Sequence, residues 1–325
     1  MEIAILSFAH LHAWNYAQQV RQVPDTRLAA IWDDNAERGW QAAQASGCLF
    51  EPDLDKLLAM DIQAVIVTAE NVRHKDLVLK AAAAGKHILC EKPIATTVSD
   101  AETMIAACRK AGVQLMTAFP VRYSPPAIRA KQAIEAGRIG EVLAIKGANR
   151  GKMPGGWFTD KAMAGGGAVM DHTVHVVDLI RWFLNKEIVS VYAEVGTRFH
   201  EIPIDDCGML TMELEGGVFA TLDPSWSRPP VYPTWGDVTL EIVGTEGTIS
   251  VDAFGQNIDL YNNEAKAPSW ENYASVMNGG LVADFVRCCT ENRPVSITGE
   301  DGLRALEVAL LAYESAAKGE VVYRK

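Results

Sequence analysis

The run Glu2-Ile3-Ala4-Ile5-Leu6-Ser7-Phe8-Ala9-His10-Leu11-His12-Ala13-Trp14-Asn15-Tyr16-Ala17-Gln18-Gln19-Val20 decides the fold. Residues 2–6 read as a short strand that is apolar almost throughout, and 13–20 read as a helix. An apolar strand feeding directly into a helix is the first half of a βαβ unit. The unit then repeats. Strand runs at 28–32, 64–68, 87–90 and 114–117 alternate with helical patterns around 36–45, 72–84 and 98–111. These strands do not alternate apolar with polar, as expected when helices cover both faces of a sheet. Gly85 and Gly112 each stand between a helical stretch and a strand, where glycine relieves left-handed backbone strain. The regular alternation predicts an α/β, Rossmann-like domain with a doubly wound parallel sheet over residues 1–119.

After Phe119 the pattern changes. Pro120, Pro125 and Pro126 punctuate a connector, and a helix is expected at about 127–136. Strand-like runs follow at 142–147, 189–197, 208–214, 218–223, 237–243, 247–251 and 258–261. Several alternate, as in Met209-Leu210-Thr211-Met212-Glu213-Leu214, which suits a sheet with one solvated or partner-covered face. A helix at about 166–184 interrupts these strands, and two more, at about 281–291 and 301–318, close the chain. The expectation is an α+β domain over 120–325 built on a large, mostly antiparallel open sheet.

Composition narrows the function. A chain of 325 residues suggests two domains, and 49% hydrophobic with 22% charged residues supplies a large core. The formal net charge is −11 and no Lys/Arg block occurs, which argues against nucleic-acid or anionic-membrane partners. The six cysteines form no Cys-x-x-Cys pair and read as reduced thiols of a cytoplasmic protein. The opening residues lack a basic n-region, and no apolar run approaches the roughly 18 residues that span a bilayer.

A dinucleotide fingerprint would sit between the first strand and the first helix, where glycines let a pyrophosphate approach a helix N-terminus. Here Ser7, Ala9 and His12 stand where glycines would, and Ser7, Phe8, Ala9 and His10 are the candidate cofactor turn. The other reading is an ordinary βα turn. The second strand ends in Asp33-Asp34-Asn35. An acidic Asp33 accepts hydrogen bonds from an adenosine ribose and repels a 2′-phosphate, which favours NAD over NADP; the same residues also serve as a helix cap. Two further strand ends fall where open α/β sheets take ligands: Thr68-Ala69-Glu70-Asn71-Val72-Arg73-His74 and Cys90-Glu91-Lys92-Pro93.

The densest polar segment is Gly165-Gly166-Gly167-Ala168-Val169-Met170-Asp171-His172-Thr173-Val174-His175-Val176-Val177-Asp178. The triple glycine is either a loop that admits another group or a flexible helix start. On a helix, Asp171, His175 and Asp178 share one face. A carboxylate beside an imidazole suits general-base work near neutral pH; the alternative is a capped helix with a satisfied histidine. His172 and His175 with their flanking carboxylates suggest a metal site only weakly, since no His-Glu-x-x-His arrangement or nearby cysteine supports one, and no metal is expected.

Taken together the chain resembles the Gfo/Idh/MocA oxidoreductases, relatives of glucose–fructose oxidoreductase and inositol dehydrogenase. The resemblance rests on Gly85-Lys86-His87-Ile88-Leu89-Cys90-Glu91-Lys92-Pro93 and on the Gly165–Asp178 segment, with Asn71, His74, Arg122-Tyr123, 137–141, 299–302 and 313–316 in support. It implies a pyridine-nucleotide dehydrogenase acting on a secondary alcohol of a sugar, cyclitol or related polyol. Lys92, Asp171 and His175 match the family's catalytic set. The implied cofactor contacts are Ser7 to His10, Asp33, Thr68, Asn71, His74, Glu91, Lys92 and Arg122. For substrate, Arg150, Trp157 and Tyr232 join the catalytic three. The family also implies a homodimer or homotetramer paired through the second-domain sheet. Glu70 stands where the family usually has Pro, and Thr173 replaces a family Gly, where it is expected to narrow the substrate pocket. Two other readings on the same fold are a non-catalytic dinucleotide-sensing regulator and a glycoside hydrolase working through tightly held NAD.

Overall fold

The computed structural model describes residues 1–255, 257–262, 267–272 and 277–324. The chain divides into two compact units. The first holds Met1–Pro120, Ala162–Gly165 and Asn278–Leu306, and the second holds Val121–Lys161, Gly166–Met277 and Glu307–Lys325.

In the first unit six parallel strands form one sheet: β1 (Glu2–Leu6), β2 (Arg27–Trp32), β3 (Leu49–Phe50), β4 (Ala64–Val67), β5 (His87–Cys90) and β6 (Leu115–Thr117). Their order is β3-β2-β1-β4-β5-β6. Strand order reverses between β1 and β4, so a crevice outside their carboxyl ends is the topological place for a ligand. Ile3–Leu6 and Ala64–Val67 are fully buried, which is why these strands read as unbroken apolar runs. The helices between them start on side-chain caps: Asn35 accepts from Arg38 N–H, Asp53 from the N–H groups of Asp55 and Lys56, and Thr97 from Asp100 N–H. The helix expected at 72–84 begins instead with a 3₁₀ turn, Asn71–Arg73, and becomes α-helical over His74–Ala83. The two-residue β3 and the helix Leu54–Leu58 were not expected, because neither is long enough to show a period.

The second unit carries β7 (Val142–Gly151), β8 (Ile188–Gly196), β9 (Cys207–Leu214), β10 (Phe219–Asp223), β11 (Gly236–Gly244), β12 (Thr248–Asp252) and, beyond a separate hairpin of β13 (Asn257–Asn262) and β14 (Ala267–Asn272), β15 (Val322–Tyr323). Seven of these make one open sheet in the order β12-β11-β7-β10-β9-β8-β15. Among the described residues only its β7–β10 pair is parallel. The alternation expected along β9 is present: Leu210, Met212 and Leu214 are buried, whereas Met209 is exposed. The helix expected from residue 127 begins two residues earlier, as Pro125–Glu135. Proline is tolerated in a first turn, where its missing N–H has no partner to lose, and Ser124 supplies the cap.

Helix Ala168–Leu184 is buried at every position from Ala168 to Ile180. It lies against strand positions that have no side chain. A Cβ at Gly147 would come within 2.8 Å of Val176 Cγ1, one at Gly151 within 2.8 Å of His172 Cε1, and one at Gly208 within 2.6 Å of Val169 Cγ2. Val169, His172 and Val176 therefore face the sheet. Thr173, on the same helix, is fully buried. Asp171, His175 and Asp178 recur at the i, i+4 and i+7 positions that share another face of this helix. No helix among the described residues is long and apolar enough to cross a membrane.

Candidate active site

The turn after β1 is held in a glycine-like conformation without glycine. Ser7 has φ of 78°, in the left-handed region that costs a non-glycine residue roughly 1–2 kcal/mol. Its surroundings fix it there. Ser7 N–H donates to Trp32 O at 2.7 Å, its carbonyl accepts from Thr68 Oγ1 at 2.6 Å, and its hydroxyl accepts from Ala9 N–H at 3.2 Å. His10 N–H donates to Thr68 O at 3.0 Å. The candidate residues of this turn and Thr68 are thus one hydrogen-bonded unit at the β1/β4 switch point, and Asp33 joins it by accepting from Phe8 N–H at 2.7 Å.

Behind the turn lies a charged cluster. Glu91 is fully buried; its Oε1 pairs with His12 Nδ1 at 2.8 Å and accepts from Tyr16 Oη at 2.6 Å, and its Oε2 accepts from Lys92 N–H at 3.0 Å. Burial alone would raise this carboxyl, but the neighbouring His10, His12 and Lys92 hold it well below the usual carboxylate range. Burial and the Glu91 charge in turn push the Tyr16 phenol well above its ordinary value. His10, His12 and Glu91 each bring one ligand atom within 4.8 Å of the others, close enough to share a cation. Lys92, 4% exposed, follows directly on this buried anion.

At the ends of β4 and β5, His74 is fully buried with Nδ1 at 3.0 Å from Pro93 O and Nε2 at 3.1 Å from Ala69 O, so it ties the two strand ends together. Asn71 donates from Nδ2 to Ala164 O at 2.9 Å, while its amide oxygen is buried with no partner among the described residues. A buried acceptor left open beside the switch point fits a donor from a ligand, such as a nicotinamide carboxamide or a ribose hydroxyl. With the Ser7 turn and the acidic end of β2, it makes the first unit suited to hold a dinucleotide.

In the second unit, helix Ala168–Leu184 receives its N-terminal hydrogen bonds from distant residues. Gly167, Ala168 and Val169 N–H groups donate to Asp205 Oδ1, backbone O and Oδ2 at 2.9, 3.0 and 2.9 Å. Tyr313 Oη accepts from Gly167 and Met170 N–H groups at 3.0 and 3.1 Å and donates to Asp205 Oδ1 at 2.9 Å. A Cβ on Gly166 or Gly167 would collide with Tyr313 or with the Asp205 carbonyl, so these glycines admit another group. Burial raises the Asp205 carboxyl above its ordinary range against the pull of these bonds.

One turn on, Trp226 Nε1 donates to Asp171 Oδ2 at 3.2 Å, and His172 Nε2 lies 3.3 Å from the same oxygen. His175, at the next turn, is 9% exposed. Asp178 is bound differently: Arg122 Nε and Nη2 donate to its two oxygens at 2.8 and 2.6 Å, a buried fork. The candidate substrate residues Arg150 and Tyr232 meet through two residues not expected from the sequence. Arg150 Nη2 lies 3.3 Å from Asp237 Oδ2, which also pairs with Arg228, and the Arg228 guanidinium stands 4.1 Å above the Tyr232 ring. Trp157 stacks on Phe158 at 3.9 Å between centroids and packs against a cluster that includes Trp226.

Sequence reasoning also missed Asp205, Tyr313, Trp226 and Arg38. Asp205 acts from 38 residues away and leaves no local signal, whereas Tyr313, 146 residues away, stands in the 313–316 segment of the resemblance but was given no role there. Arg38, five residues past Asp33 in the first turn of its helix, was readable.

Two family models cover most of the chain. Residues 6–119 match the oxidoreductase family with an NAD-binding Rossmann fold, and residues 127–250 match the GFO/IDH/MocA C-terminal domain. The 1,5-anhydro-D-fructose reductase of Ensifer adhaerens is 31% identical over 90% of this chain and 90% of its own. The scyllo-inositol 2-dehydrogenase (NAD(+)) of Bacillus subtilis strain 168 is 26% identical over 97% of this chain and 94% of its own. Among solved structures, GenD2 from gentamicin A biosynthesis, crystallised in complex with NAD, superposes with a TM-score of 0.92 at 27% identity, covering 100% of this chain and 96% of that one. The chain belongs to the Gfo/Idh/MocA family of oxidoreductases, with an NAD-binding Rossmann fold in its N-terminal part.

Proposed function

We propose that this protein is an NAD-dependent dehydrogenase of a secondary hydroxyl on a sugar, an inositol or a related polyol, with His175 as general base assisted by Asp171 and with Lys92 stabilising the reacting oxygen. The observation that carries the reading is the fixing of Asp171 by the Trp226 indole N–H, one helical turn from a buried imidazole. A carboxylate so held keeps the neighbouring base in one orientation and favours its protonated form once it has taken a proton. The named activities of the reductase and the inositol dehydrogenase relatives support the substrate class.

In this reading His175 accepts the proton of the substrate hydroxyl as the C–O bond becomes a carbonyl. The Lys92 ammonium hydrogen-bonds that oxygen and offsets its developing negative charge. NAD, when bound, supplies the hydride acceptor at nicotinamide C4. The turn Ser7 to His10, Asp33, Thr68, Asn71, His74, Glu91 and Arg122 hold or position the cofactor. Arg150, Trp157 and Tyr232 offer a guanidinium and aromatic faces to a polyol.

Calorimetric titration with NAD, then a screen of inositols, aldoses and polyols followed by NADH absorbance, tests the proposal. His175→Ala and Lys92→Ala should each lower kcat by about 10²-fold or more while NAD still binds. Near-normal turnover in either variant on the substrate found overturns its assigned role.

A further inference from the structure

His12 stands where a dinucleotide turn has its third glycine, and the side chain placed there meets a buried acid. Its Nδ1 lies 2.8 Å from Glu91 Oε1; the His12 side chain is 36% exposed and that of Glu91 is fully buried. His10, two residues earlier, is 3% exposed. The two imidazole rings stand 4.3 Å apart between centroids, tilted by 57°. One ring nitrogen of each histidine and one Glu91 oxygen all lie within 4.8 Å of one another.

The backbone holds the three residues in place. His10 N–H donates to Thr68 O at 3.0 Å, and Glu91 N–H donates to Val67 O at 3.0 Å. His12 N–H donates to His10 Nδ1 at 3.1 Å, which ties the two histidines together. The carboxylate is oriented as well. Its Oε2 accepts from Lys92 N–H at 3.0 Å, and its Oε1 accepts from Tyr16 Oη at 2.6 Å on the side of the histidines.

Two imidazoles and one carboxylate are a donor set of zinc sites that keep one position open. On a tetrahedral ion with bonds of about 2.0–2.2 Å, ligand atoms stand roughly 3.4 Å apart. The His12–Glu91 pair, at 2.8 Å, then has to open by about half an ångström. Any pair near the 4.8 Å limit has to close by about 1.4 Å, which side-chain rotation supplies. Binding also asks neutral His12 to carry its proton on Nε2, so that the Nδ1 lone pair is given to the ion. The ion then replaces that proton as the positive partner of a carboxylate that burial would leave costly on its own.

We propose that His10, His12 and Glu91 bind one divalent transition-metal ion of the zinc class, which fastens the turn after β1 to the end of β5. Water takes the fourth position. The two imidazoles select such an ion over Mg²⁺, which prefers an octahedral shell of oxygens.

Isothermal titration of the untagged, EDTA-treated full-length protein with Zn²⁺ tests this, with Co²⁺ absorption as a second reading and thermal melting of every variant to confirm folding. The wild type should take up about one Zn²⁺ per chain with a Kd of about 10 μM or tighter, show the visible d–d bands of tetrahedral Co²⁺, and bind no Mg²⁺ in that range. His10→Gln and His12→Gln should each raise the Zn²⁺ Kd by about tenfold or more. His12→Gln is the sharper of the two, because glutamine keeps an N–H donor for Glu91 and removes the ligating nitrogen. His200→Gln, in the second unit, should leave the Kd within about threefold. Weaker Zn²⁺ binding by the wild type, Mg²⁺ binding as tight as that of Zn²⁺, or a loss of less than about tenfold in either the His10 or the His12 variant overturns the proposal.

Discussion

Two carbonyls, Pro93 O at 3.0 Å and Ala69 O at 3.1 Å, compete for the single N–H of a neutral His74 ring. Full burial lowers the His74 pKa, and the carbonyls of Ala69, Pro93 and Ile94 together with the Glu91 charge raise it without cancelling the effect. The ring is therefore neutral in the folded protein at pH 7, whereas in the unfolded chain it titrates near pH 6.5. Below that pH the unfolded chain binds a proton that the folded one refuses, so stability falls as pH falls. The slope is at most about 1.4 kcal/mol per pH unit, and it ends once the folded value is reached. Urea unfolding between pH 7.5 and 5.5 should show this loss, and His74→Gln, which keeps one N–H donor, should flatten it. Parallel pH slopes for the two proteins would remove His74 from the account. The sequence marked His74 as a residue at the nucleotide edge; that its ring lies between two strand-end carbonyls depends on a fold-level approach that no local pattern encodes.

Helix Ala168–Leu184 has Gly167 at its N-cap and therefore no capping side chain of its own. Its first four N–H groups would otherwise be unsatisfied in a buried setting, and Asp205 with Tyr313 supply their partners instead. Asp205→Ala should cost about 2 kcal/mol, the upper end of a lost N-cap, because it removes acceptors from two amides at once. Tyr313→Phe should also destabilise, through the two amides its oxygen now serves. If this end of the helix orients Asp171 and His175, both variants should lower kcat with little change in the NAD Kd. Chemical denaturation together with kinetics checks this; unchanged stability in both variants would mean that water or backbone replaces the cap. Elements of this length were legible: the longer parallel strands of the first unit, the Asp171 helix and most strands of the second stand within two or three residues of where periodicity put them, while β7 runs four residues past its expected end, to Gly151. What escaped was either too short to have a period, such as β3, or a pairing across sequence, such as Trp226 on Asp171. The glycine-free turn departs from the fingerprint pattern for a different reason. Ser7 adopts the left-handed conformation that a fingerprint glycine would, because Trp32, Thr68 and Ala9 hold it there.

For the molecule as a whole, the outward face of the large sheet bears on assembly. Its β11–β7–β10 register sets Val243, Ala144 and Phe219 side by side, and Val243 and Phe219 are 40% and 55% exposed. Met209 adds a further exposed apolar side chain on β9. In the next row Lys146 lies 3.5 Å from Glu241, so apolar and paired charged rows alternate across the face. A surface of this kind is self-complementary under a two-fold axis, since each lysine of one copy can meet a glutamate of the other while the apolar rows stack. The net charge of −11 opposes association of like chains at long range, so a contact between copies has to rest on short-range burial of this patch. We expect the protein to be a dimer or tetramer paired through this face, as the family resemblance implies. Sedimentation velocity should show that assembly, and Phe219→Asp combined with Val243→Asp should convert it to monomer. Because both side chains are largely exposed within one chain, the double variant should keep the melting transition of an isolated protomer. A monomeric wild type would refute the assembly, and a double variant that sediments like an oligomeric wild type would place the interface elsewhere.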